Sequence, residues 1–278
     1  VSPRWFPNLS NLNNLSYLSG IILLFAGVEV QAVHASEMEN PKKQYPTAIF
    51  ISAIIVFALF TFGSLAIAAV VPNSQLQLES GLMQALSTML ASVKMKWALY
   101  ILAFCVAFGS LGGVLSWISG PSKGLLSTAK DGILPESLAE TTKAGAPKNM
   151  MLIQGIIVTI LACLYFVMKD VSVAFFLLSA LTVAVYIIMY LMMYLAAIVL
   201  RKTQPNMERP YKAPALSLLC VIGILAALFA LVLSFVPPAQ LPIGNPASYV
   251  AIVAIGTVGF FVIPLIIAEK RKNKIVKD

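Results

Sequence analysis

Long runs of apolar residues alternate with short polar loops along most of the chain. Seven of these runs are long enough to cross the hydrocarbon core of a bilayer, which is about 30 Å thick and takes about 20 helical residues. We expect transmembrane helices over residues 15–33, 46–71, 97–118, 150–168, 171–200, 216–236 and 249–268. The pattern therefore predicts an all-α integral membrane protein with seven transmembrane helices in a single domain.

Two of the connections between these runs also carry a helical pattern. Over residues 79–93, apolar residues recur on one face of a helix, which predicts an interfacial helix outside the membrane. Over residues 124–142, a similar pattern is interrupted at Gly132 and Pro135, which predicts a short cytoplasmic hairpin. Packing against the bundle is an alternative role for both segments, and we prefer it for the external one.

Composition and charge agree with a membrane protein. The chain is 59% hydrophobic and 11% charged, whereas soluble globular proteins carry about 25% charged residues. The net charge of +8 comes from short loops, where the positive-inside rule explains it without a nucleic-acid partner. Three isolated cysteines and one histidine offer no metal or redox spacing, and no nucleotide-binding loop or nucleophile–base pair indicates an enzyme. We expect neither a cofactor nor a catalytic residue.

Lysine and arginine are divided unequally between the two sides of the predicted helices. If the seven spans alternate in direction, 15 of the 19 basic residues fall on one side of the membrane and 4 on the other. The positive-inside rule then places the C-terminus in the cytoplasm and the N-terminus outside. Because an external N-terminus without a signal segment requires helices upstream, we expect the chain to be the C-terminal part of a longer protein.

An acidic residue lies near the middle of the first predicted span. Glu29 follows Gly27 by two residues, and a glycine allows a membrane helix to open and expose backbone groups. A charge at this depth is costly and normally faces a partner or a water-filled path. The pattern therefore indicates a solute or ion site. The alternative is that Glu29 reaches the membrane interface beside Gln31 and His34.

Aromatic residues on two later spans are candidate walls of a polar cavity. Trp117 lies near the end of its span, where an interfacial belt residue and a pocket wall are equally consistent with the sequence. Tyr186, Tyr190 and Tyr194 recur every four residues and share one helical face. That face is either a core stripe or a hydroxyl-bearing wall.

Two long motifs resemble the amino acid–polyamine–organocation transporter superfamily. The first is GVE followed by EMENPKKQYP, within residues 27–46, and the second is SWISGPSKGLLSTAKDGILPESL, over residues 116–138. Within the superfamily the chain is most similar to bacterial glutamate/GABA antiporters, which share the first motif and a histidine five residues after its Glu. The resemblance implies that the chain corresponds to helices six to twelve of a twelve-helix fold with two inverted five-helix repeats.

The resemblance also implies a substrate site. In this fold, broken helices present free amide and carbonyl groups to the carboxylate and ammonium groups of an amino acid. Glu29 would also sense protons. Gly113 stands where acid-resistance glutamate/GABA antiporters can carry a Glu, and Leu23 stands where arginine/agmatine antiporters carry a gating Trp. The implied substrate-binding residues are Phe25, Gly27, Val28, Glu29, Gly113, Trp117, Tyr186 and Tyr190.

The resemblance predicts a secondary active amino acid antiporter of the bacterial inner membrane, exchanging glutamate for GABA in acid resistance. Its expected partners are amino acid substrates and the lipid bilayer. One alternative is a proton-coupled symporter of the same superfamily with another substrate. Another is a membrane helper subunit that does not transport. We do not expect a seven-helix fragment to transport by itself.

Overall fold

The computed structural model describes residues 15–16, 18–72, 75–77, 80–168, 170–209, 211–238 and 245–275. Across these residues the regular structure is helical, apart from one isolated β-bridge between Thr141 and Pro147. Tyr17, inside the first predicted span, and residue 79, the predicted start of the interfacial helix, lie outside the described residues. The all-α prediction is confirmed.

The first predicted span, over residues 15–33, is broken. Helix α1 covers Leu18–Phe25, and a 3₁₀ helix covers Glu29–Glu37 after a turn. Gly27 lies in that turn with φ of +99°, a left-handed conformation that glycine adopts without steric cost. The predicted count of seven membrane-spanning helices is therefore off by one, because this segment forms no single helix of membrane length, and the helix opens at Gly27 as expected.

Six helical spans in the described part of the chain are long and apolar enough to cross a membrane. One of them is interrupted at Cys163 and consists of two helices in succession. Each of the six corresponds to one of the remaining predicted spans. They are α2 (Pro41–Val70), α4 (Ala98–Lys130), α5 with α6 (Lys148–Ala162 and Leu164–Val167), α7 (Val171–Thr203), α8 (Leu216–Ser234) and α9 (Pro246–Ile275). A shorter helix, α3 (Gly81–Ser92), lies where the interfacial helix was predicted.

The segment over residues 124–142 differs from the predicted hairpin. Helix α4 continues through it to Lys130, and the chain then turns at Gly132, where φ is +80°, before a 3₁₀ turn over Glu136–Ala139. The apolar pattern is explained by a small core, because the buried Leu126 and Ala129 of α4 pack with Met150 of α5. The segment thus consists of the C-terminal end of α4 followed by a loop that packs against the same small core.

The chain divides into two compact units, and the first contains α1, residues 42–46 and everything described from residue 162 onward. Its core lies where α7 packs against α8 and α9. Alanines on α7 and α8 allow these helices to approach closely, as is common between helices in lipid. The largest fully buried apolar side chains of this unit are Leu177, Val183, Ile187, Leu233 and Val253.

The second unit comprises residues 27–41 and 47–161. It contains the 3₁₀ helix after Gly27, most of α2, all of α3 and α4, and most of α5. Helix α2 has no buried residue, and large apolar side chains such as Phe50, Phe57 and Phe62 are exposed along it. Such an extended exposed apolar surface is typical of a protein that lies in a membrane.

Candidate functional site

Three of the predicted site residues, Gly27, Val28 and Glu29, lie in the turn and at the start of the 3₁₀ helix that follows it. The carboxylate of Glu29 folds back onto this turn, because the amide of Gly27 donates to its Oε2 at 3.3 Å. The amide of Val30 donates to the Gly27 carbonyl at 3.1 Å. Glu29 is half-buried. The acid therefore accepts a hydrogen bond from the backbone at the helix break.

The indole of Trp117, on α4, covers Gly27. A Cβ atom placed on Gly27 would lie 2.6 Å from Cζ2 and 2.9 Å from Cη2 of the ring. Two features therefore require a glycine at position 27: its positive φ and the close approach of the indole. Trp117 as a whole remains 42% exposed. The second unit brings Gly27, Glu29 and Trp117 into one local group.

Beyond Trp117, the 3₁₀ helix stays in contact with α4 at regular intervals. A Cβ atom on Gly120 would lie 2.5 Å from Cγ1 of Val30, and one on Gly124 would lie 3.5 Å from Cγ1 of Val33. A 3₁₀ helix repeats every three residues, so Val30 and Val33 share one face. Positions 117, 120 and 124 share one face of an α-helix. The two periods match, and the two glycines on α4 let the segments approach closely.

A polar cluster closes the far end of this contact. Lys123 of α4 donates to Oε1 of Glu37, which lies in the last turn of the 3₁₀ helix. Nδ1 of His34 lies 2.8 Å from Oε2 of Glu37 and 3.1 Å from Nζ of Lys123. The hydrogen bond from Lys123, followed by the one from His34, lowers the pKa of the exposed Glu37 carboxyl from its ordinary value. The cluster therefore holds the 3₁₀ helix on α4 most firmly when Glu37 is ionised.

Sequence reasoning missed this cluster as a group. His34 and Glu37 are three residues apart, which was an available signal for a local pair. Lys123 comes 86 residues after Glu37 and was assigned only to the excess of cytoplasmic positive charge. Its role depends on the alignment of α4 with the 3₁₀ helix.

Gly113 lies on α4, one helical turn before Trp117. A Cβ atom placed on it meets nothing within 4 Å in the described part of the chain. A residue with a Cβ is therefore tolerated at this position without a close contact in this unit.

Phe25, Tyr186 and Tyr190 belong to the first unit. Phe25 is the last residue of α1 and is 37% exposed. The rings of Tyr186 and Tyr190 meet edge to face with centroids 5.2 Å apart, and Tyr194 stacks on Tyr190 at 6.2 Å. The ring of Tyr194 packs on Gly223 of α8, where an added Cβ would lie 2.8 Å from Cζ. The Tyr194 side chain is therefore held by packing between α7 and α8. Tyr186 and Tyr190 are half-buried.

No group of three or more His, Cys, Asp or Glu residues is placed to hold a metal ion among the residues that the structure describes. The local group of the second unit is instead built from backbone amides, one carboxylate and one indole.

The sequence matches the family model for amino acid permeases over residues 2–260. The chain belongs to the amino acid permease family. Membership of the amino acid–polyamine–organocation superfamily, which the two motifs predicted, is thereby confirmed. A permease-family chain with six membrane-length spans in its described part is a multi-pass membrane protein.

Several bacterial transporters are similar to most of this permease-family chain. It is 37% identical over 278 residues to an uncharacterised transporter of Legionella pneumophila, covering 99% of this chain and 60% of that protein. It is 34% identical over 270 residues to a glutamate/gamma-aminobutyrate antiporter of Lactococcus lactis, covering 95% and 54%. It is 29% identical over 205 residues to a probable agmatine/putrescine antiporter of the same species, covering 73% and 43%. The chain thus spans between two fifths and three fifths of the length of these relatives.

Proposed function

We propose that the protein is a secondary active amino acid antiporter that exchanges glutamate for GABA across the bacterial inner membrane. The observation that carries this proposal is the opened helix at Gly27, with Glu29 bound to its backbone and Trp117 covering it. The likeness to a glutamate/gamma-aminobutyrate antiporter at 34% identity supports the choice of substrates.

The start of the 3₁₀ helix is suited to a substrate carboxylate. The dipole of a helix favours a negative charge at its N-terminal end. Val28 precedes the first residue of this helix, and its apolar side chain makes no capping hydrogen bond there. A carboxylate is a suitable ligand for a helix N-terminus.

Glu29 connects this site to protons. Its carboxylate accepts the hydrogen bond from the Gly27 amide, so it competes with a substrate carboxylate for that donor. When Glu29 takes up a proton, it becomes a weaker acceptor, because charge-assisted hydrogen bonds are the stronger ones. Protonation then releases the Gly27 amide to the substrate, which makes exchange stronger in acid. In this mechanism Glu29 is both a substrate-site residue and the proton sensor.

Trp117 supplies an apolar surface for the methylene chain that glutamate and GABA share. Its indole is held against Gly27 on one side, and the residue as a whole is 42% exposed. Val28, Phe25, Gly113, Tyr186 and Tyr190 are assigned to the substrate site from the family resemblance alone. The C-terminus is assigned to the cytoplasm from the distribution of Lys and Arg.

Counterflow tests the proposal directly. The native full-length protein is placed in proteoliposomes loaded with GABA, and uptake of labelled glutamate from outside is measured. We expect uptake only when GABA is inside the vesicles, and faster uptake at acidic pH. Uptake into empty vesicles driven by a proton gradient would show a symporter instead. Uptake that requires internal putrescine rather than GABA would move the substrate toward that of the agmatine/putrescine relative.

A further inference from the structure

A proline lies inside α4 one turn after Trp117. Pro121 has no N–H group, so it cannot donate the hydrogen bond that a helix would offer to the carbonyl four residues earlier, which belongs to Trp117. Its ring also crowds that carbonyl. Helix α4 nevertheless continues from Ala98 to Lys130. In a membrane, a helix tolerates proline where a neighbouring group re-satisfies the affected backbone.

Gln154 of α5 makes such a contact on α4. Its side-chain Nε2 donates to the Trp117 carbonyl over a long 3.5 Å, and its Oε1 accepts from the Ser122 hydroxyl at 2.8 Å. Ser122 is only 2% exposed, so this second hydrogen bond is sheltered. The single amide of Gln154 therefore bonds α4 on both sides of Pro121.

We propose that Gln154 is a positioning residue: its amide takes the place of the donor that Pro121 lacks and thereby fixes Trp117 against Gly27. The carbonyl that Gln154 binds and the indole that covers Gly27 belong to the same residue. A shift of α4 at the proline would move that ring, which lies so close to Gly27 that an added Cβ would be 2.6 Å from it. The consequence for substrate binding rests on the proposed function.

A general role for Gln154 as a polar contact between two membrane helices would explain the hydrogen bond to Ser122 equally well. The donor aimed at the Trp117 carbonyl distinguishes the two roles, because only the positioning role depends on Pro121. In a Pro121→Ala protein the backbone N–H of residue 121 is restored, and the Gln154 donor becomes redundant.

The test is a double-mutant cycle in the native full-length protein with Gln154→Leu, Pro121→Ala and the combination of both. Thermal unfolding is measured without substrate, and the KM and kcat of exchange are measured in proteoliposomes. We expect Gln154→Leu to lower the melting temperature and raise the KM about threefold, the usual effect of losing one hydrogen bond between membrane helices. In the Pro121→Ala background the same change should have little effect on either quantity.

Two further variants complete the design. Gln154→Glu keeps an acceptor for Ser122 and removes the donor to Trp117, so it should raise the KM at least as much as Gln154→Leu. Thr159→Val is the matched control on α5, because the Thr159 hydroxyl bonds only to the Gly155 carbonyl of its own helix in the described contacts, at 2.8 Å. It should leave the KM unchanged.

Equal effects of Gln154→Leu in the two backgrounds, or failure of that variant to fold in both, would overturn the proposal. If Gln154→Leu fails to fold in the protein that keeps Pro121 but folds in the Pro121→Ala protein, the proposal is supported. If the parent protein exchanges no amino acid, the proposed function is wrong, and the cycle in melting temperature still tests the hydrogen bond.

Discussion

Replacement of Gly27 by alanine probes the helix break most directly. Two costs are expected, and the structure separates them. The positive φ of +99° strains any residue with a Cβ by about 1–2 kcal/mol. The new methyl group would lie 2.6 Å from the Trp117 ring, so the indole must retreat by about 1 Å to reach ordinary van der Waals contact.

Displacement of the indole is expected to weaken binding as well as stability. Exposure of one methylene group of the substrate costs about 0.8 kcal/mol, so the Kd for substrate should rise about fourfold. The measurements are thermal unfolding and equilibrium binding of labelled glutamate to the purified native full-length protein. Both should change in Gly27→Ala.

Two other glycines are matched controls for the two costs. Gly145 has a positive φ of +80° with nothing within 4 Å of an added Cβ, so Gly145→Ala should reduce stability without changing binding. Gly20 lies in α1 with neither a positive φ nor a close neighbour, so Gly20→Ala should be neutral or slightly stabilising. If Gly27→Ala loses no more stability than Gly145→Ala and binds glutamate normally, the Trp117 contact does not shape the site.

Three other predictions concern charge and aromatic packing. Glu29→Gln should still exchange but with a flatter dependence on pH, whereas Glu29→Ala should lose more activity because it also removes the acceptor. Lys123→Met should lower the melting temperature at neutral pH, where Glu37 is ionised. Tyr190→Ala should weaken glutamate binding with little loss of folding, and Tyr194→Ala should mainly reduce folding, because its ring packs on α8. Exchange assays, melting curves and binding isotherms measure these effects.

The sign of the pH effect at Glu37 follows from its lowered pKa. The contribution of the Lys123 contact to stability is fully present above the ordinary carboxyl value of 4.5 and is lost as the pH falls through the lowered pKa of the folded state. The difference in melting temperature between the parent and Lys123→Met should therefore shrink in acid. Lys130→Met is the control at the exposed end of α4. If the difference in melting temperature between the parent and Lys123→Met does not depend on pH, the role of Glu37 is refuted. If Glu29→Gln keeps the pH profile of exchange that the parent shows, the role of Glu29 is refuted.

The sequence was most informative where local chemistry decides the structure. Apolar runs of membrane length predicted the positions of the helices. Gly27, two residues before an acid expected at mid-membrane depth, predicted the break in the first span. It was less informative at Pro121, because a proline in a helical pattern normally predicts an end or a kink. Helix α4 continues because Gln154 lies beside it, 33 residues later in the chain. Such compensation depends on tertiary contacts that no local pattern contains.

Basic residues show the same limit. Arg209 was counted only as a cytoplasmic charge, yet its Nη2 donates to the carbonyls of Leu200 and Gln204 at 2.9 and 2.8 Å. Those carbonyls lie at the C-terminal end of α7, where each also accepts from a backbone amide, Leu200 from Gln204 and Gln204 from Met207. Charge counting predicts the side of the membrane for such a residue. It does not predict which helix end the side chain caps.

The matched periods of the 3₁₀ helix and α4 limit how the first motif can change in length. A single-residue insertion between Gly27 and Val33 would rotate everything after it by about 120°. Val33 would then turn away from Gly124, and Glu37 would turn away from Lys123. Length variation among related transporters should therefore be absent between Gly27 and Glu37.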